Sequence, residues 1–341
     1  MSTLVDTSVF PLNRSEQGYL AIDGLTGSVI QPYLLRLSGP VDEALVRQTL
    51  RELISAHPRL RGVVEPGLHL YSLRILPDDD IVDELFDVAW RVERLVNPDD
   101  ALALEHYHNQ LLNEVVPLER GLGLRVRFIP HPQRPVLFFC VHHVLADGRS
   151  MLMMVADILK RLNGGVIQPR AMEAPSMVPA IAPRKWFNWP AKLWASLQHQ
   201  RRQTKQGRSL HVVQLPMRDK PQFSSNALCH HQPPVAGDQL RQAAKRFGTT
   251  VNTLLMATLA DTFLEMAQDD PKAAAVLRMS VDMRRFYPKK EMPRLGNYVA
   301  SFLVTEQGQG SPCERMASID AQVKEGLARF TRREMCWGYL L

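Results

Sequence analysis

Two adjacent histidines, an aspartate and a glycine fall within one short stretch, His142-His143-Val144-Leu145-Ala146-Asp147-Gly148. Histidine is the side chain best suited to taking a proton near neutral pH, because its ordinary pKa is about 6.5. The chemistry on offer is therefore general-base catalysis, with Asp147 and Gly148 holding the shape of the loop. The other histidine clusters carry less. His230-His231 runs into Gln232-Pro233-Pro234 with no Asp-Gly after it and reads as an exposed loop pair. Glu105-His106-Tyr107-His108 has no third ligand at helical spacing, so a solvated helix face is expected there and no metal.

A base is useful only if the chain holds it still, and the flanking residues supply the means. Leu124-Arg125-Val126-Arg127-Phe128-Ile129 alternates apolar and basic residues with the period of a half-exposed strand. After a turn at His131-Pro132-Gln133-Arg134-Pro135, the run Val136-Leu137-Phe138-Phe139-Cys140-Val141 is apolar throughout, which predicts a central strand buried on both faces. Beyond the histidines, Ser150 is placed to cap a helix over 151–162, and Asn163-Gly164-Gly165 stops it. Upstream, a strand is expected over 31–37. A helix over 41–54 follows, with Pro40 ahead of it and His57-Pro58 ending it. Downstream, helices are expected over 239–247, 250–267 and 314–330, and strands over 274–281 and 298–304.

The chain has 341 residues, enough for about two domains with their own cores. An apolar fraction of 45% and a charged fraction of 22% exclude wholesale disorder, collagen and coiled coil. No run is apolar and long enough for a membrane span, and the first residues lack a basic start followed by an apolar stretch, so a soluble cytoplasmic protein is expected. A net charge of +6 is mild for this length; Arg201, Arg202, Lys205 and Arg208 would have to join a larger patch, and no nucleic acid is expected as partner. The cysteines Cys140, Cys229, Cys313 and Cys336 form no C-x-x-C pair, which fits a reducing compartment. Between 166 and 221 the chain turns proline-rich and holds Trp186, Trp189 and Trp194 beside Lys185 and Lys192. That composition suits either a crossover pressing its indoles onto two lobes or peripheral membrane contact; Pro190, interrupting an amphipathic helix, favours the first.

The His142–Gly148 stretch resembles the HHxxxDG signature of the condensation-domain and acyltransferase superfamily at every fixed position. Other segments are similar in order. Ser15-Glu16-Gln17 is similar to the opening S-x-x-Q region. His57-Pro58-Arg59-Leu60-Arg61 is similar to RHxxLR, with Ala56 where arginine is usual. Val281-Asp282-Met283-Arg284-Arg285 and then Leu295-Gly296-Asn297-Tyr298-Val299 resemble a later strand that supplies an arginine and the glycine-asparagine turn after it. The resemblance implies a mixed α/β fold of two chloramphenicol-acetyltransferase-like lobes meeting in a V. The lobes would span 1–165 and 211–341, with a crossover over 166–210 and the histidine loop at the junction.

The resemblance also implies roles. His143 would be the catalytic base and His142 its structural neighbour. Asp147 would pair with Arg284, or otherwise Arg285, because a buried carboxylate is costly unless paired. The backbone N–H of Gly148 would be one donor to the oxyanion, and Gly296 and Asn297 would form a turn in the second lobe. The activity implied is acyl transfer from an acyl-CoA or an acyl carrier protein, that is, from a phosphopantetheine thioester, to an alcohol or amine. No covalent acyl-enzyme and no bound cofactor would be needed. A non-catalytic scaffold that binds a carrier protein is the alternative. Family members run longer, so a second lobe lacking its final strands is expected, and no DFGWG, the mark of the plant-type branch, is present.

Overall fold

A computed structural model describes residues 8–23, 29–67, 70–173, 176–214, 237–267, 269–308 and 310–335. The chain divides into two compact units. The first holds the described residues up to Ser176 together with Pro293–Tyr298; the second holds those from Met177 to Met292 and from Val299 onward. His230-His231, Cys229 and Cys336 lie outside the described residues.

The first unit is built on two sheets. Strands β1 (Val9–Pro11), β4 (Ser72–Ile75) and β3 (Gly62–Glu65) form an antiparallel sheet in that order. The other sheet has the order β2 (Ile30–Arg36), β7 (Val136–His142), β6 (Leu124–Ile129) and β5 (Trp90–Val92), antiparallel except where β5 runs parallel to β6. As the unbroken apolar run predicts, β7 lies between two neighbours and every one of its residues is buried. Phe128, Phe138 and Phe139 are fully buried, and each such side chain contributes roughly 1.5–3 kcal/mol through removal from water. Pro32 is tolerated in β2 because that strand is an edge and owes hydrogen bonds on one side only.

Among the described residues, five α-helices complete this unit: α1 (Arg14–Ile22), α2 (Glu43–Ala56), α3 (Asp80–Ala89), α4 (Ala101–Asn113) and α5 (Gly148–Leu162). Helix α2 buries Val46, Leu50, Leu53 and Ile54, while α5 buries Met151, Met154, Val155 and Ile158, the i, i+3, i+4, i+7 stripe of a core-facing helix. The two helices pack on each other. Two expectations are corrected here. Helix α5 is capped by Asp147 and not by Ser150, and so begins directly after the histidine loop. On α4, His106 is exposed but His108 is buried against the Phe138 ring, 5.4 Å between centroids, because its spacing places it on the apolar face with Leu104 and Leu111.

The second unit carries a sheet in the order β10 (Val299–Gln307), β9 (Ala273–Asp282) and β8 (His211–Val212), antiparallel and then parallel. Around it lie α6 (Val178–Ile181), α7 (Trp189–Gly207), α8 (Gly237–Arg246), α9 (Val251–Glu265) and α10 (Pro312–Thr331). Helix α9 lies on β9 and α10 on β10. Pro190 does not interrupt a helix; it stands at the start of α7, where its missing N–H has no intrahelical partner to lose. Trp194 on that helix is exposed and Trp189 is half-buried. No helix among the described residues is long and apolar enough to cross a membrane. The fold class is the mixed α/β one that the resemblance implies.

Candidate active site

His142 ends β7 and His143 is the first residue beyond it. Both are pinned through the backbone: the His142 N–H donates to the Gly123 carbonyl at 2.8 Å and the His143 N–H to Val29 at 2.9 Å. His142 is fully buried, and its Nδ1 accepts the Val144 N–H at 3.2 Å. Its Nε2 lies 3.3 Å from Asp23 Oδ1 but off the line of a hydrogen bond. His142 is thus part of the frame, its two nitrogens turned to protein groups.

His143 is held differently. The Tyr19 ring of α1 stacks on its imidazole, 4.1 Å between centroids and 6° from parallel. From the other end of the sequence, the Asn297 amide donates to the His143 carbonyl at 2.7 Å and its nitrogen lies 3.2 Å from Nδ1. An aromatic face and a side-chain amide together fix the ring plane. Burial holds the His143 pKa below the usual histidine value, while the carbonyls of His143 and Ala146 favour the charged ring and oppose the shift. The ring is therefore neutral near pH 7, the form a base must have. A cysteine-histidine nucleophile pair is not available from Cys140, which is buried in β7 with its thiol pushed up to about 12 by desolvation.

The loop between His143 and α5 is tied at several points. Asp147 is buried, and its carboxylate accepts the Ser150 N–H at 2.9 Å and the Tyr298 N–H at 3.0 Å. The first bond caps α5 and the second reaches the 293–298 segment. That segment is bound further through Asp147 N–H to the Gly296 carbonyl at 3.1 Å, Ser150 Oγ to the same carbonyl at 2.8 Å and Gly296 N–H to Ser150 Oγ at 3.1 Å. Gly296 has φ +139 and a Cβ there would stand 2.8 Å from the Tyr298 ring, so glycine is required. Gly148 is under no such constraint: its φ is ordinary and a Cβ would meet only Gln31 Oε1 at 3.8 Å and Tyr33 OH at 4.0 Å. The fold does not need a glycine there; what its absence of side chain provides is open space before the first turn of α5.

Beneath the loop sits a buried ion pair. Arg59, in the turn after α2, pairs with Glu16 of α1 and also donates to the carbonyls of Leu145 at 2.7 Å and Val144 at 3.0 Å. Both side chains are buried. Glu16 closes a capping box with Asn13, and Asn13 Nδ2 donates to the Asn297 carbonyl at 2.9 Å. Burial pushes the Glu16 carboxyl up to about 7, with Arg59 opposing it. One connected network thus runs from Asn297 through Asn13, Glu16 and Arg59 to the loop carbonyls.

Of the residues singled out from the sequence, His142, His143, Asp147, Gly148, Gly296 and Asn297 come together in the first unit. Arg284 and Arg285 belong to the second unit; Arg284 is buried and donates to Asp282 Oδ1 at 3.1 Å, and Arg285 is exposed. Tyr19, Asn13 and Gln31, which donates to the Ala146 carbonyl at 2.6 Å, carry no local sequence signal of their roles. Glu16 and Arg59 lie inside the segments quoted for the resemblance, but nothing in the sequence pairs them. No group of acids, histidines and cysteines able to hold a metal occurs among the described residues.

The family model of the Condensation domain matches residues 21–273. Among curated proteins, the chain is 27% identical over 146 residues to the hybrid PKS-NRPS synthetase mycA of Thermothelomyces thermophilus, covering 42% of this chain and 3% of that one. It is 28% identical over 153 residues to a probable non-canonical nonribosomal peptide synthetase, CymA, of Salinispora arenicola, covering 44% and 2%. The chain therefore spans only a few per cent of the length of these relatives. Among solved structures it resembles the first condensation domain of the CDA synthetase, with TM-score 0.73 and 15% identity over 95% of this chain and 76% of that one. It also resembles SgcC5 from Streptomyces globisporus, with TM-score 0.67 and 15% identity over 95% and 75%. At these identities the structural likeness speaks to the fold.

Proposed function

The chain belongs to the condensation-domain family, and from that premise we propose that it transfers an acyl group from a thioester to an amine or alcohol, with His143 as general base. The observation that carries the reading is the His143 imidazole itself, neutral at physiological pH and clamped between the Tyr19 ring and the Asn297 amide. A nitrogen of that ring takes the proton of the acceptor N–H or O–H as the acceptor attacks the thioester carbonyl. The tetrahedral adduct then expels the thiolate, and the proton passes from His143 to the sulfur, so the enzyme ends as it began. The Gly148 N–H, at the positive end of α5, is the proposed donor to the oxyanion. His142 and Asp147 hold the loop; pairing of Asp147 with Arg284, or otherwise Arg285, belongs to the same proposal.

The proposed donor is a phosphopantetheine thioester on an acyl carrier protein, a reading supported by the named relatives being a hybrid PKS-NRPS synthetase and a nonribosomal peptide synthetase; acyl-CoA offers the same bond. The proposed setting is the cytoplasm, and no membrane step is included, since Trp194 is exposed but Trp189 is half-buried. Thiol release from carrier-bound and CoA-bound acyl groups, with pooled amines and alcohols, tests the reading against His143→Ala. Acceptor-dependent release that vanishes in the variant is the expected result. Equal background release from two folded proteins would leave the carrier-binding scaffold as the better account.

A further inference from the structure

The second unit contains a cavity of about 680 Å3, walled by the approach to α7, the turn at Met283–Phe286 and the C-terminal end of α10. That volume lies within the range of small-molecule sites. Among the described residues, its lining carries Arg184, Lys192, Arg285, Arg332 and Arg333 and no acidic residue. Two of these cations are already matched. Arg332 pairs with Glu325 at 2.6 Å and Glu334 at 2.9 Å, and Lys192 lies 3.7 Å from Glu334. Among the described residues, Arg184, Arg285 and Arg333 have no carboxylate partner.

Arg333 is held in an unusual way. It follows the C-cap Arg332 of α10 with φ 58, the left-handed position that closes a helix and that glycine fills at least strain. The closing bonds are both made, Arg333 N–H to the Phe330 carbonyl and Glu334 N–H to that of Arg329, each at 2.9 Å. The guanidinium is then fixed by donating from Nη1 to the carbonyls of Pro179 at 2.9 Å and Ala182 at 2.8 Å. Burial holds the Arg333 pKa below its usual value, and the charge of Arg184 lowers it further. Arg333, anchored on two carbonyls, shares the lining of this cavity with Arg184, a second guanidinium without a carboxylate partner among the described residues, and an anion between them would offset their like charge.

We propose that this cavity binds a polyphosphate group, free or nucleotide-borne, between the Arg184 and Arg333 guanidiniums with Arg285 at its rim. The group is multiply charged, as three unmatched cations require, and its oxygens match the planar fork of arginine. The site is independent of acyl transfer and stands whether or not His143 is a base. Calorimetric titration of the whole chain at fixed ionic strength, with inorganic pyrophosphate, ADP and sulfate as separate titrants, tests it. Pyrophosphate or ADP should bind saturably and more tightly than sulfate, and the tighter of the two identifies a bare or a nucleotide-borne group. Arg184→Gln should weaken binding by about tenfold or more. Arg333→Gly should do the same; it relieves the left-handed strain but gives up the bonds to the Pro179 and Ala182 carbonyls, so its affinity is read on protein shown to be folded by far-ultraviolet dichroism. No saturable binding of pyrophosphate or ADP, or unchanged affinity in the well-folded Arg333→Gly, would overturn the proposal.

Discussion

Replacing Asp147 by asparagine exchanges one carboxylate oxygen for an NH2 group and should cost far more than its size implies. The carboxylate accepts the Ser150 N–H from one oxygen and the Tyr298 N–H from the other, at 2.9 and 3.0 Å, inside a buried site. Asparagine keeps one acceptor. Its NH2 then faces the second backbone N–H, leaving a buried donor unmatched at about 1–3 kcal/mol, and the surviving bond loses its charge assistance, about another 1 kcal/mol. The total is roughly 2–4 kcal/mol. With a urea slope of about 2 kcal/mol per molar, the unfolding midpoint of the first unit should fall by about 1–2 M. Urea titration followed by tryptophan fluorescence and far-ultraviolet dichroism checks this, since Trp90 lies in that unit. A midpoint within about 0.3 M of wild type would refute the reasoning, because the two bonds would then contribute no more than an ordinary surface contact.

Glu16→Gln should remove a pH dependence. The Glu16 carboxyl titrates at about 7 in the fold against 4.5 when unfolded, so the folded state is favoured by its protonated form and loses stability as pH rises from 4.5 to 7, by on the order of 3 kcal/mol. Wild type should therefore weaken relative to Glu16→Gln across that window, read from urea midpoints at successive pH values, and parallel curves would disprove it. Gly296→Ala should lower the melting temperature by several degrees, since it combines φ +139 with a clash on the Tyr298 ring costing about 1–3 kcal/mol; an unchanged melt would show that the turn relaxes. Gly148→Ala should melt at or slightly above the wild-type temperature, as glycine-to-alanine changes at unstrained positions gain about 0.4–1 kcal/mol, yet transfer should slow. Undiminished transfer would mean that substrate does not use the space before α5.

Much of the frame was legible because its signals are local. The apolar run of β7 reads as a buried strand without any partner in view, and the apolar stripes of α2 and α5 mark their inner faces directly. The start of α5 was displaced because Ser150 and Asp147 are both good caps, and only the geometry shows which oxygen meets which N–H. The site's supports were not legible for a different reason. Glu16 and Arg59 are 43 positions apart and Asn297 lies 154 from His143, so their contacts are products of tertiary folding. Helix α1 buries Ser15 and Glu16, a pattern that reads as a polar surface until Arg59 is found against it. His108 failed the other way, since a histidine on an apolar helix face is indistinguishable by type from a solvated one.

The central claim is that His143 is the base, and single-turnover transfer from a carrier-bound thioester, followed across pH for wild type and His143→Ala, tests it most directly. Because burial holds the His143 pKa below its ordinary 6.5, the wild-type rate should stay level from neutral pH down through about 6.5 and fall only below it. The variant should be slower by about 100- to 10,000-fold and lack that limb. A folded His143→Ala protein that transfers at the wild-type rate, with the same pH profile, would contradict the assignment.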